Sequence, residues 1–298
     1  MEIAVEDNLT IVCATHNGSN RIPLFLDSIQ NNEMKPKEII ICGTSEFDIS
    51  SISKEFLINN NVIFIVSEIA NQTYQRKLAL SKVKTSYILQ LDDDLILDSN
   101  AIGNYCRHFN EPNTNKKIVC GYTILPNGEH MSYRVQNLYK NSRLIRIFYK
   151  IINGFKDVKN MSILKSGRIF PLVLDHNNND KPEWLSSCLM FHKDAMDNQV
   201  NTNFENIIFK GKAYYEDVFF TSLLRKKGFT LILDKDIRLT HPYTQSIKPL
   251  EYINTISRQK QLLVMSGGSY VLFYLDVIAS TIFYSIKHIK YQFKQRWH

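Results

Sequence analysis

The stretch Tyr87-Ile88-Leu89-Gln90-Leu91-Asp92-Asp93-Asp94 decides how this chain is read, because a short apolar run ends abruptly in three consecutive carboxylates. Adjacent acids repel one another, and a buried strand ending on them costs stability unless a cation, usually a divalent metal, neutralises them. The plainer alternative is an acidic, solvated turn.

Working outward, Leu9 to Ala14 is a β-prone run that ends in Thr15-His16-Asn17-Gly18, a buried strand feeding a polar loop. Arg21 to Gln30 carries a helical stripe of Ile22, Leu24, Phe25, Leu26 and Ile29. Glu38 to Cys42 and Val62 to Val66 read as further strands. Gln72 to Lys82 reads as a helix, with Leu78 and Ala79 inward and Gln75, Arg76 and Lys77 open to a ligand. Unbroken apolar strands alternating with helices predict a parallel sheet covered on both faces. Ligands bind such sheets at the carboxyl ends of the strands, which is where Thr15 to Asn17 and Asp92 to Asp94 fall.

The 298 residues, 44% hydrophobic and 22% charged, suffice for one large domain or a domain with an appendage. A net charge of +7 attracts acidic partners without choosing among them. The basic residues form no recognised nucleic-acid module, so nucleic acid is not an expected partner. Five widely spaced cysteines, mostly in apolar runs, suit buried thiols in a reducing compartment rather than a disulfide framework or zinc site. Glu2, Glu6 and Asp7 at the amino terminus do not suit a signal peptide, so a cytoplasmic location is expected.

From Arg134 to Arg168 nine Lys or Arg accompany one acid, Asp157. Within this segment Leu144 to Ile152 can form a basic amphipathic helix: a solvated face, or a surface for an anionic membrane or phosphorylated acceptor. Glu183 to Phe191 has strand character, Asn198 to Lys212 is an Asn-rich loop, and Glu216-Asp217 opens a helix that Gly228 closes. Phe229 to Leu233 and Ile237 to Thr240 read as two short strands, the second delivering His241. Tyr270 to Ile286 is almost continuously apolar, yet Asp276 near its middle would cost roughly 2.5–3.5 kcal/mol in hydrocarbon. A helical wheel gathers Ser269, Asp276, Ser280 and Lys287 on one stripe. The reading is a helix in the membrane interface or packed on the domain, rather than one that crosses.

Taken together, Ile11 to Asn17, Gln75-Arg76-Lys77, Leu91-Asp92-Asp93-Asp94, Trp184-Leu185-Ser186-Ser187-Cys188, Glu216-Asp217 and His241 resemble family 2 inverting glycosyltransferases with the GT-A fold. The resemblance spans about residues 8 to 245, and it divides the chain into a transferase domain (1–245) and a helical, apolar and basic extension (246–298). It implies a mostly parallel, Rossmann-like sheet, a nucleotide-sugar donor (UDP-linked by preference) in the amino-terminal half, and a glycan acceptor in the carboxyl-terminal half. By the same resemblance Asp94 holds Mn²⁺ or Mg²⁺ against the diphosphate, and Asp92 reaches the ribose or shares the metal. Asp93, counted with the donor site, points away because neighbouring strand residues alternate. His241 is a further metal ligand or a strand-end cap; Arg76 meets the diphosphate or base; Thr15 and Asn17 line the nucleotide pocket. Asp217 is the base, Glu216 contacts sugar hydroxyls, and Trp184 offers its face to a sugar ring or fills the core.

Two positions depart from the family pattern. Cys42-Gly43-Thr44-Ser45 stands where an Asp often reads the base, with only Glu46 and Asp48 nearby, and Ser187 stands where Gly is common, implying a tighter acceptor floor. The basic segment and tail suggest a lipid-linked acceptor, surface polysaccharide assembly, and peripheral association with the inner face of the cell membrane. The rivals are a sugar-phosphate nucleotidyltransferase, for which His16 to Arg21 makes a poor phosphate loop, and a non-catalytic membrane-surface scaffold.

Overall fold

A computed structural model describes residues 5–110, 114–171, 181–196, 213–242 and 249–296. The Asn-rich loop expected at Asn198 to Lys212 lies outside the described residues. The chain gathers into two compact units, Met1–Met131 with Lys181–Ile247, and Ser132–Asp180 with Lys248–His298.

In the first unit, β1 (Leu9–Ala14), α1 (Ile22–Gln30), β2 (Glu38–Gly43), α2 (Lys54–Asn59), β3 (Val62–Val66), α3 (Gln72–Leu80) and β4 (Tyr87–Asp92) alternate as the apolar runs predict. β5 (Ile96–Leu97), α4 (Ala101–Arg107) and β6 (Lys117–Ile124) follow. All six residues of β1 and five of the six in β2 are buried, as strands covered on both faces require. β3, β2, β1 and β4 run parallel, and Ala14 pairs with Asp92 across β1 and β4. The chain winds one way from β1 to β3 and then returns to the other side of β1 with β4. That reversal opens a crevice beyond Ala14 and Asp92, the switch point where ligands enter doubly wound sheets.

The second half of this unit extends the same sheet. β9 (Leu189–His192) runs antiparallel between β4 and β6, and β10 (Thr230–Thr240) runs parallel to β6. Where two short strands were expected, β10 is one strand with an irregularity between Asp234 and Arg238. Strand character expected from Glu183 begins only at Leu189. The preceding residues serve other partners: the Leu185 N–H donates to Thr221 Oγ1 and the Ser187 hydroxyl to Asp92. α7 (Glu216–Lys226) ends at Gly228, whose φ of +88° is the left-handed turn that a helix stop needs. All five cysteines are buried.

The second unit holds α5 (Tyr133–Asn141), α6 (Arg143–Ile152), the hairpin β7 (Ser162–Ile163) and β8 (Ile169–Phe170), α8 (Pro249–Ser266) and α9 (Tyr270–Arg296). Ile152, Leu164 and Phe170 form its core, with Tyr139 and Tyr149 edge-on to Phe170 at 4.9 and 5.0 Å. α9 joins this unit by its polar stripe. Asp276, fully buried, takes Arg168 on both oxygens, along with Ser166, Gln259 and Ser280. Gly167 makes the approach possible, since a Cβ there would lie 2.4 Å from the Gln259 carbonyl oxygen. Among the described residues no helix is long and apolar enough to cross a membrane.

Candidate active site

The three acids that end β4 turn to three different sets of partners. Asp92 faces α3 and the loop before β9: Arg76 and Gln72 reach its Oδ1, Gln72 at 3.2 Å, and Ser187 Oγ donates to Oδ2 at 2.5 Å. Asp93 faces the β1 loop, where Thr15 Oγ1 and Arg21 Nη2 donate to one oxygen at 2.5 and 2.7 Å. Asp94 faces the end of β10, with Oδ2 at 3.2 Å from His241 Nε2. Alternation along the strand thus turns Asp93 away from Asp92, but toward the buried Thr15 rather than out to solvent.

Helix α3 supplies the floor. Asn71 caps it by accepting the Tyr74 N–H, and its first turns point Gln75 and Arg76 inward. Gln75, expected to face a ligand, is buried and joins two strand ends by donating to the carbonyls of Thr15 and Cys42, the latter at 2.9 Å. Lys77, by contrast, is exposed. Arg76 is 3% exposed and ties β4 to α7, pairing with both Asp92 and Glu216 Oε2, the latter at 2.7 Å. Burial works against its charge, yet the two acids outweigh burial and raise its pKa. Burial lifts Glu216 above the usual carboxylate range, with Arg76 opposing and Asp92 adding.

Asp217 sits one residue further along, half-buried, with one oxygen accepting the Val218 N–H at 2.9 Å. Burial pushes its pKa up to about 7, and the negative charges of Asp92 and Glu216 add to the rise. Tyr215, just ahead of the acid pair, holds a left-handed φ of 67°, a conformation that non-glycine residues keep only where their surroundings impose it. Trp184 is buried at 7% exposure, and Asn17 sits exposed at a left-handed φ of 55°.

Asp48, a possible substitute for the missing base-reading acid, is 1% exposed and already engaged. It accepts the N–H groups of Gly18 and Thr44, both at 2.8 Å, and that of Ser45 at 3.3 Å. Burial would raise its pKa, but these donors hold it below the usual range. Its carboxylate fastens the β1 loop to the end of β2.

Three partners were not evident as site residues in the sequence: Gln72, Ser187 in its contact with Asp92, and Arg21. Only Arg21 left a signal, because a cation beginning a helix opposes the macrodipole and therefore calls for an acid, here Asp93.

Among the described residues no three His, Cys, Asp or Glu gather into a metal-holding group. The Asp94–His241 pair fits a divalent ion all the same. Neighbouring ligands on an octahedral ion with bonds of ~2.1 Å stand about 3 Å apart, close to the observed 3.2 Å. Such ions commonly take one or two protein ligands and complete their shell with substrate phosphate and water.

A mostly parallel sheet whose switch-point crevice collects an acidic strand end, a buried arginine bridge and a helix-borne acid pair is a GT-A-like architecture. Its likeness to solved structures agrees with this. The mannosyltransferase PcManGT from Pyrobaculum calidifontis, in complex with GDP-Man and Mn²⁺, matches with TM-score 0.51 at 12% identity, over 86% of this chain and 62% of that one. S. aureus TarS matches with TM-score 0.50 at 12% identity, over 84% of this chain but only 38% of TarS, and TarS 1-349 with 0.50 at 13%, over 86% and 69%. At these identities the likeness is one of fold. The chain belongs to glycosyl transferase family 2, whose model matches residues 10–171. Among curated proteins none matches the sequence significantly.

Proposed function

We propose that the protein is a metal-dependent, inverting glycosyltransferase that moves one sugar from a UDP-sugar to a glycan acceptor. We place that acceptor on a lipid carrier, in surface polysaccharide assembly at the inner face of the cell membrane. Residues 1–245 make the transferase domain in this reading and 246–298 its extension, with 132–180 folded in one unit with the extension. The observation that carries the proposal is Asp217, a half-buried carboxyl with a pKa of about 7 that feels Arg76, Asp92 and Glu216 at one crevice.

Inversion by direct displacement fits that carboxyl. Asp217 takes the acceptor hydroxyl proton as the oxygen bonds to the anomeric carbon, while the bond from that carbon to the diphosphate oxygen breaks and the nucleoside diphosphate leaves. A base with pKa near working pH suits this step. Mn²⁺ or Mg²⁺ held by Asp94 and His241 would supply positive charge to the departing diphosphate, and the imidazole favours Mn²⁺. Asp92 would join the metal or the ribose only by exchanging its Ser187 contact. Thr15, Asn17 and Asp93 would shape the nucleotide side, with Arg76 setting the orientation of Asp92 and Glu216. Glu216 and Trp184 would support the acceptor side from beneath.

Thermal shift and turnover with UDP, GDP, CMP and dTDP sugars test the proposal, since a ligand that binds the native state raises its apparent stability. A UDP-sugar is expected to raise Tm with Mn²⁺ and to be turned over, with Asp94→Ala and His241→Ala each losing the metal-dependent rise. Binding and turnover of GDP-mannose alone would reassign the nucleotide. Absence of both for every donor with Mn²⁺ present overturns the proposal.

A further inference from the structure

Helix α9 is amphipathic in the inverted sense. Phe273, Asp276 and Ser280 are buried on one side of it, and the polar pair is engaged by Arg168, Ser166 and Gln259. On the opposite side Val271, Tyr274, Leu275, Ile278 and Ile282 fall within an arc of about 100°. All five are exposed, Val271 at 70% and Ile278 at 58%. An aqueous surface gains nothing from such a stripe, and contiguous exposed apolar side chains of this kind mark an interaction site.

Helix α6, which packs beside α9, has the same plan with a different coat. Ile152 is buried in the core with Phe148 packed against it, while Arg143, Arg146, Ile147 and Lys150 share the other side and, with Asp157, line a cavity of about 330 Å³. Leu144 beside them is 79% exposed. Charge is divided to match. The second unit holds 16 Lys or Arg against 5 Asp or Glu, a net +11, which leaves 20 against 24, a net −4, for the first.

We infer that the second unit docks on an anionic lipid bilayer, the outward stripe of α9 entering the interface and the basic row of α6 meeting lipid phosphates. It deepens the membrane side of the proposed function, on which it rests. Charge selects this occupant over a second copy of the chain, because pairing two such units would set +11 against +11. An anionic bilayer supplies both an apolar layer and the opposite charge.

The test is sedimentation of the full-length protein with vesicles of phosphatidylcholine, alone or mixed with phosphatidylglycerol, without any sugar donor. Binding to the mixed vesicles is expected to be at least about tenfold tighter than to the neutral ones and to weaken as salt is raised. The double variant L275E/I278E is expected to lose binding to both, and R143E/R146E/K150E to lose only the preference for mixed vesicles. The altered side chains are exposed, and an unchanged melting temperature in each variant checks that it folds. No binding by the wild-type protein, or binding that neither set of changes alters, overturns the inference. So does a dimer that L275E/I278E separates, found without vesicle binding. Donor thermal shift measured on the same proteins reports separately on the transferase reading, so either can fail alone.

Discussion

Each unit buries a carboxylate against an arginine, and the two arrangements do different things. In the first unit Asp92 and Glu216 reach Arg76 from separate elements, at the end of β4 and the start of α7. Asp217 follows directly, with only the Val218 N–H donating to it among the described residues. In the second, Asp276 sits mid-helix with its oxygens taken by Arg168, Ser166, Gln259 and Ser280. A buried acid is therefore no sign of chemistry in itself. The acid to suspect is the one that converges with others at a strand-end crevice and keeps an oxygen available.

The sharpest way to break this comparison is to neutralise one acid in each unit. Asp217→Asn is expected to lower transfer by roughly 10²–10⁴-fold with donor binding kept, the usual worth of a general base. Asp276→Asn should leave transfer by the folded protein unchanged. Steady-state rates beside donor thermal shifts decide it, and equal losses in both variants would erase the distinction.

Stability gives the next largest effect. Arg76→Ala strands the buried Glu216 and the half-buried Asp92, and is expected to cost about 3–5 kcal/mol in urea unfolding. Asp276→Asn leaves Arg168, whose side chain is 24% exposed, in part hydrated, and should cost only about 1–3 kcal/mol. A larger loss for Asp276→Asn than for Arg76→Ala would reverse the ranking of the two clusters.

A third contrast lies in pH dependence. In the proposed mechanism Asp217 acts as a base only when ionised, so kcat/KM should rise about tenfold per pH unit below its pKa of about 7 and level off above it. Because the folded state binds this proton more tightly than the unfolded chain, its contribution to stability falls as pH rises from about 4 to about 7 and is constant beyond. In Asp217→Asn that slope should vanish from a pH series of unfolding measurements.

The first unit was largely legible because its signals are local. Apolar runs of five or six residues between polar loops marked β1 to β4, and the end of β4 on three acids marked the crevice. What could not be read there depended on distant partners: Gln75 turned inward to the Thr15 and Cys42 carbonyls, and Asp48 was used up by backbone donors. The wheel of the tail put Asp276 and Ser280 on one stripe, and the two are buried together, but periodicity cannot say which side of a helix faces in. That was settled by Arg168, 108 residues earlier in the chain.

The bridge that Arg76 makes between Asp92 and Glu216 also limits how the enzyme can be re-engineered. The segments that carry Asp92 and Glu216 are not interchangeable cassettes, because one guanidinium is shared between them. A graft that replaces 213–242 with a foreign sequence must bring a carboxylate to position 216, or it leaves a buried cation half-compensated. Chimeras that keep this pair, and vary the residues around it, are the ones expected to fold.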